Sequence, residues 1–198
     1  MKGEKEQGLE DLREIRSMME RSSRFLSLSG LSGIAAGCLA ILGGGVAYWA
    51  LVQGWEEDAL VRWIWVDALI VLLGSVGISI AFSARLARRR GQVMWGAQGK
   101  SLLMEMMPPL LGGGVLSIVL VYHRMFLAIP GIMLLFYGTA LASAAKVTRE
   151  DARHLGWVEM GLGVLALVFL PEGLLIWMAG FGMAHIVYGV LMFRKYEQ

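Results

Sequence analysis

The sequence RLARRRGQVMWGAQGK, residues 85–100, lies between two long apolar stretches and carries five cations. This gap and the other alternate gaps of the chain together hold 16 of its 18 Lys and Arg residues. The two remaining cations are Arg62 and Arg124. Short cytoplasmic loops of inner-membrane proteins retain the excess of Lys and Arg. The pattern therefore predicts that residues 85–100 face the cytoplasm and that both termini lie on the same side.

The composition agrees with a chain that crosses a membrane several times. Hydrophobic residues make up 57% of the sequence, which is too apolar for an ordinary soluble domain. About 20 apolar residues cross a bilayer as a helix. We predict an all-α bundle of six transmembrane helices over residues 25–198, in the bacterial inner (plasma) membrane. The predicted spans are about 25–52, 60–84, 101–122, 125–145, 154–170 and 173–193.

Residues 1–24 are predicted to form an amphipathic helix at the cytoplasmic face. Within residues 8–24, apolar side chains recur at steps of three and four, as on one face of a helix. Such a helix either lies on the inner leaflet, with its apolar face in lipid, or docks against a partner protein or a second copy. Both alternatives stay open at this point.

Glycine and proline mark two features of the predicted spans. Gly33 and Gly37 have the GxxxG spacing that lets helix backbones approach closely in lipid, so the Gly-rich spans favour helix contacts and a possible homo-oligomer. Pro108 and Pro109 remove two backbone donors, and residues 112–114 are three glycines. We expect this helix to kink or to start late, and we expect the stretch to be irregular and buried in the bundle, because irregular backbone is not tolerated against lipid.

Ionisable side chains inside the spans are the candidate ligand or ion path, because their burial in lipid is costly. At about 1.5 Å per residue, Glu105 lies roughly 8 Å, Glu159 roughly 9 Å and His185 roughly 13 Å from the inner edge. If the three spans adjoin, these side chains form one polar cluster that carries protons or binds a cation. The alternative is a hydrogen-bonded tie that only fixes helix packing.

Two further candidates lie nearer the outer face. Asp67 is in the outer part of the second span, and its expected ion-pair partner is Arg62 or, alternatively, Arg124. His123 is at the outer end of the third span. Both are included in the predicted ligand or ion path.

Other classes of function find no support in the sequence. The glycine runs lack the Lys-Ser/Thr of a phosphate loop, no HExxH occurs, and no Ser-His-Asp arrangement is recognisable, so neither a catalytic site nor an enzyme is predicted. A bis-histidine haem is not expected either, because His123, His154 and His185 lie at different depths. Neither a metal site nor nucleic-acid binding is predicted, and the single Cys38 excludes an intramolecular disulfide.

Three segments, residues 14–33, 133–159 and 177–197, carry charged, aromatic and small residues in a fixed order. Together with PPLLGGG at 108–114 and the Tyr-His pair at 122–123, they resemble a family of six-span bacterial inner-membrane proteins whose activity is not established. The resemblance implies the six-span topology and the plasma-membrane location.

The sequence leaves two functions open. The first is a small transporter or channel-like bundle with a polar path in the membrane. The second is a scaffold or regulatory membrane protein that acts through its N-terminal helix.

Overall fold

A computed structural model describes residue 12, residues 29–89, residue 91, residues 96–148 and residues 150–197. This part of the chain is helical and contains no strand. The α-helices, in chain order, are α1 (Gly30–Val52), α2 (Glu57–Arg89), α3 (Ala97–Tyr122), α4 (Ile129–Ala144), α5 (Asp151–Val168), α6 (Gly173–Trp177) and α7 (His185–Tyr196). Short 3₁₀ turns precede α4 (Phe126–Ala128) and α6 (Leu170–Glu172).

The last helix of the chain runs from Leu170 to Tyr196 and changes its winding midway. Its first part is α6 and its last part is α7, and between them Met178–Ala184 forms a π-helical segment. Such wide turns are rare and frequently occur at functional sites.

Five of these helices are long and apolar enough to cross a membrane: α1, α2, α3, Phe126–Ala144 and the last helix. α5 has 18 residues and includes the charged residues Asp151, Arg153 and Glu159. The all-α fold is thus confirmed, and the described helices have the length and composition of a membrane protein.

Ion pairs tie neighbouring helix ends together. At the end of the bundle where α1 begins, Lys195 Nζ lies 3.0 Å from Asp151 Oδ1, and the Glu197 carboxylate accepts hydrogen bonds from the Gly30 N–H and the Ser29 hydroxyl. At the opposite end, Arg124 Nη1 lies 2.7 Å from Glu57 Oε1.

The order of the helices in space differs from their order in the chain. α1 packs against α2 on one side and against the last helix on the other. The last helix packs in turn on α5, α5 on α4, and α4 on α3. α2 and α3 are therefore the two edge elements, and no residue in the apolar window of α2 is buried within the described structure.

Close backbone approach at glycines produces two of these contacts. Between α1 and the last helix, a Cβ added at Gly189 would lie 2.6 Å from the Gly30 oxygen. Between α4 and α5, a Cβ at Gly163 would lie 2.9 Å from the Gly131 oxygen. Real Cβ atoms do not come this close to other atoms, so these seams require glycine.

Gly33 and Gly37, the predicted GxxxG pair, also belong to the first seam. A Cβ at Gly33 would lie 3.2 Å from the Gly189 Cα, and one at Gly37 would lie 2.6 Å from the Gly182 oxygen. This pair is therefore used for a contact inside the chain.

The third helix neither starts late nor becomes irregular at the prolines, because α3 begins at Ala97 and continues through Pro108 and Pro109. Breaking the helix in lipid would expose more backbone groups than the two donors that the prolines remove. The expected burial of the glycine run is also wrong in part. Gly113 packs closely on Phe136 of α4, whereas Gly112 and Gly114 are exposed.

The predicted amphipathic helix of residues 8–24 lies outside the described residues, apart from Leu12.

Candidate functional site

The candidate site is a group of polar side chains where α4, α5 and the last helix meet. Glu159 lies in the middle of α5 and is completely buried, with 0% of its side chain exposed. Its carboxylate lies directly over Gly180 of the π-helical segment, because a Cβ at Gly180 would be 2.5 Å from Glu159 Oε2. Leu134 of α4 closes the same space. The acid thus occupies room that only a glycine leaves open.

His185 follows the π-helical segment and faces Glu159. Its Nδ1 lies 3.1 Å from the Gly180 carbonyl oxygen and also 3.1 Å from Glu159 Oε1. The approach to the carboxylate does not have hydrogen-bond geometry, and neither carboxylate oxygen has a hydrogen-bond partner among the described residues. Nδ1 is therefore within reach of two acceptors, and the carboxylate is the one without any other partner.

Tyr137 of α4 completes a row of three side chains. Its hydroxyl lies 3.0 Å from His185 Nε2, and its ring packs against the ring of Phe181. When the neutral imidazole donates its Nδ1–H to the Gly180 carbonyl, Nε2 accepts the hydrogen bond from Tyr137. The order of the row is Glu159, His185, Tyr137, and we call it the relay.

One more buried polar atom lies on the last helix near the relay. Trp177 Nε1 is buried without a hydrogen-bond partner among the described residues. The Trp177 ring packs on Phe181, with ring centroids 5.1 Å apart, and Phe181 stacks on His185 at 5.7 Å. These rings form an apolar wall beside the relay.

The relay connects Tyr137 on α4 to Glu159 on α5 through the two nitrogens of one imidazole ring. If Tyr137 gives its hydroxyl proton to Nε2 and takes up a replacement proton, the ring becomes an imidazolium, and its Nδ1 proton can then move to Glu159 Oε1. The ring is left neutral with its proton on Nε2, which donates to the Tyr137 oxygen. Imidazole suits this task because its two nitrogens face different partners.

The structure places Glu105 apart from Glu159 and His185. Glu105 lies on α3, an edge helix that packs on α4, and its Oε2 is 3.5 Å from Lys146 Nζ. Both side chains are partly exposed, so this is a surface ion pair with a contribution of about 0–1 kcal/mol. The predicted three-residue cluster thus reduces to Glu159 and His185, with Tyr137 added.

Asp67 has neither of the partners predicted for it. Arg124 pairs with Glu57 instead, and Asp67 has no hydrogen bond or ion pair with any described residue. Its carboxylate lies over Gly43 of α1, since a Cβ there would be 3.3 Å from Asp67 Oδ2. Asp67 is only half-buried, unlike Glu159.

The two other histidines lie away from the relay. His123 follows the end of α3, is exposed, and touches the edge of the Tyr122 ring. His154 is exposed on α5 beside Trp157. In the described ranges, no group of three or more His, Cys, Asp or Glu side chains is arranged to bind a metal ion.

No protein-family model, curated protein or solved structure matches this chain. The resemblance to six-span inner-membrane proteins therefore stays a prediction, and function must be argued from the site.

Proposed function

We propose that this protein is a small membrane transporter that moves protons through the relay of Glu159, His185 and Tyr137. The proposal includes six membrane crossings, with α5 as the crossing that carries the proton-accepting acid. It also places both termini in the cytoplasm of a bacterial cell, because the described cations outside Arg62 and Arg124 lie in the gaps predicted to face inward.

One observation carries the proposal, namely a completely buried carboxylate whose two oxygens have no hydrogen bond to any described residue. A buried side chain that serves only helix packing has hydrogen bonds to its polar atoms, because a buried polar atom without one destabilises the fold by about 1–3 kcal/mol. Glu159 instead has a titratable imidazole nitrogen 3.1 Å away. An unsatisfied acid beside a proton donor is suited to exchange a proton.

The position of the site supports the same function. Glu159 is eight residues from the start of an 18-residue helix, which is close to its middle. Ionisable groups at such depth are costly and in membrane proteins mark proton and ion pathways. His185 connects Glu159 on α5 to Tyr137 on α4, so the proton changes helix at each step.

The test is potential-driven proton uptake by proteoliposomes that contain the full-length protein. A K⁺ diffusion potential supplies the driving force, and a pH dye in the lumen reports proton entry. We expect uptake above that of protein-free vesicles, and we expect Glu159→Gln to abolish it, because the amide cannot accept a proton from Nδ1.

Glu105→Gln is the matched control, since it makes the same chemical change at the partly exposed pair with Lys146. It should leave the uptake unchanged. Equal uptake by Glu159→Gln and the unsubstituted protein would contradict the proposal, and so would unsubstituted protein that conducts no better than empty vesicles.

The alternative of a scaffold that acts through residues 8–24 depends on residues outside the described part of the chain. It stays a prediction.

A further inference from the structure

Asp67 repeats one feature of Glu159 and differs in another. Both are acids within apolar helices, and both carboxylates lie over a glycine of a neighbouring helix, Gly43 for Asp67 and Gly180 for Glu159. Glu159 faces an imidazole, whereas Asp67 faces no donor or cation in the described part of the chain. Asp67 is also half-buried, so a molecule can approach it from outside.

Three tryptophans lie on the outer side of Asp67. Trp63 is four residues before Asp67, so both side chains are on the same face of α2, one turn apart. The Trp63 ring lies 5.7 Å from that of Trp55, which in turn lies 5.9 Å from that of Trp49. Trp49 and Trp63 remain more than half exposed, so their aromatic faces are available.

The depth of Asp67 suits a ligand that enters from the outer face. Asp67 is five residues after Arg62, about 8 Å further along the helix. Trp63 lies between these two levels, where tryptophan is favoured at the membrane–water interface. A ligand at Asp67 thus has its charge below the interface and its apolar groups beside the tryptophan rings.

We propose that Asp67 and the tryptophans form a binding site for a lipophilic organic cation, such as a quaternary ammonium or phosphonium compound. The carboxylate supplies the counter-charge, and the ring faces attract a cation through their quadrupole. Ca²⁺ fits poorly, because it takes six to eight oxygen ligands and Asp67 supplies one carboxylate. Organic cations do not need such ligands, since their charge is already shielded by carbon.

If the Asp67 site is the substrate site of the transporter, the inference rests on the proposed function, and the bound cation is exchanged for a proton. As a binding site, it stands independently of the relay. Binding is therefore measured separately from proton movement, so that the two ideas fail separately.

The experiment measures binding of tetraphenylphosphonium to the purified full-length protein in detergent micelles by equilibrium dialysis. We expect saturable binding that Asp67→Asn weakens at least about tenfold, because it removes the carboxylate that supplies the counter-charge. Trp63→Leu should weaken it about threefold or more by removing a ring. Glu159→Gln should bind like the unsubstituted protein even where it conducts no protons.

Asp58→Asn is the matched control, since it makes the same change on the exposed first turn of the same helix. It should leave binding unchanged. Absence of saturable binding, equal binding by Asp67→Asn and the unsubstituted protein, or equal loss in Asp58→Asn would overturn the proposal.

Light scattering on the same samples addresses one other role for the acid. If Asp67→Asn changes the oligomeric state, Asp67 is a contact between copies and the proposal is wrong. If Asp67→Asn does not fold, the binding of tetraphenylphosphonium by Trp63→Leu tests the proposal instead. Unchanged binding by Trp63→Leu would overturn the aromatic part of the site and with it the proposal.

Discussion

The close approach of Gly180 to Glu159 gives the sharpest prediction about the site. In Gly180→Ala, the new Cβ would lie 2.5 Å from Glu159 Oε2 and would also overlap Leu134. Contacts of Cβ atoms below 3.0 Å are essentially never observed, so the carboxylate must move by about 0.5 Å or more. Neither neighbour can turn toward the outside, because Glu159 and Leu134 are both 0% exposed.

The magnitude follows from two opposing terms. Overpacking a tight interior lowers the free energy of unfolding by about 1–3 kcal/mol. Replacing a helical glycine by alanine raises the free energy of unfolding by about 0.5–1 kcal/mol. We therefore expect Gly180→Ala to be less stable by about 1 kcal/mol, within a range of about 0–2.5 kcal/mol. We also expect proton uptake to fall, because the Glu159–His185 geometry is disturbed.

The assay is equilibrium unfolding in mixed detergent micelles, with proton uptake measured on the same preparations. Gly161→Ala is the control, because Gly161 is on α5 and a Cβ there meets nothing within 4 Å. It should be as stable as the unsubstituted protein or slightly more stable. If Gly180→Ala has the same free energy of unfolding as Gly161→Ala and takes up protons as fast as the unsubstituted protein, the carboxylate does not lie against Gly180 and the reasoning is refuted.

Two further predictions concern the packing of α1. Gly189→Ala should lower the free energy of unfolding by about 2–3 kcal/mol, since its Cβ would meet backbone atoms that cannot turn aside. Gly114→Ala, a helical position with open space around it, should instead raise it by about 0.5–1 kcal/mol in the same unfolding assay. Equal stability of these two variants would contradict the seam. Glu197→Ala should lower the free energy of unfolding by about 0.5–2 kcal/mol and speed amide hydrogen exchange at the start of α1, because it removes the acceptor for the Gly30 N–H and the Ser29 hydroxyl. Unchanged exchange at the start of α1 would contradict this role of Glu197.

Much of the helical framework is readable from the spacing of cations and apolar stretches. Within residues 85–100, α2 ends at Arg89 and α3 begins at Ala97, so two helices end in this gap, as its composition indicates. The continuity of α3 through Pro108 was not readable, because it depends on the cost of broken backbone in lipid rather than on the local preference of proline.

The relay was only partly predictable. The estimated depths place Glu105, Glu159 and His185 at similar levels. Depth does not indicate which helices are neighbours, so it groups Glu105 with the other two, whereas in the structure Glu105 pairs with Lys146. Tyr137 was missed although the sequence carried a signal for it. Tyr137 is nine residues before Lys146, just as His185 is nine residues before Arg194, which puts both about 13 Å from the edge that is predicted to be the inner one.

The π-helical segment was not predictable from periodicity, because a single wide turn leaves no repeating pattern. Gly180 and Gly182 within it are explained only by the structure, where Gly180 makes room for Glu159 and Gly182 lies against α1. Sequence reasoning can thus find costly groups in a membrane, whereas the space that makes them tolerable comes from another helix.

The central claim is that Glu159 gains and loses a proton inside the bundle. Infrared difference spectroscopy of the membrane-reconstituted protein, recorded between acidic and alkaline conditions, observes this directly through the C=O band of a protonated carboxyl. The account predicts a band that appears on acidification in the unsubstituted protein and in Glu105→Gln and is absent from Glu159→Gln. If Glu159→Gln shows the same bands as the unsubstituted protein, Glu159 keeps one protonation state, and the relay is a structural tie.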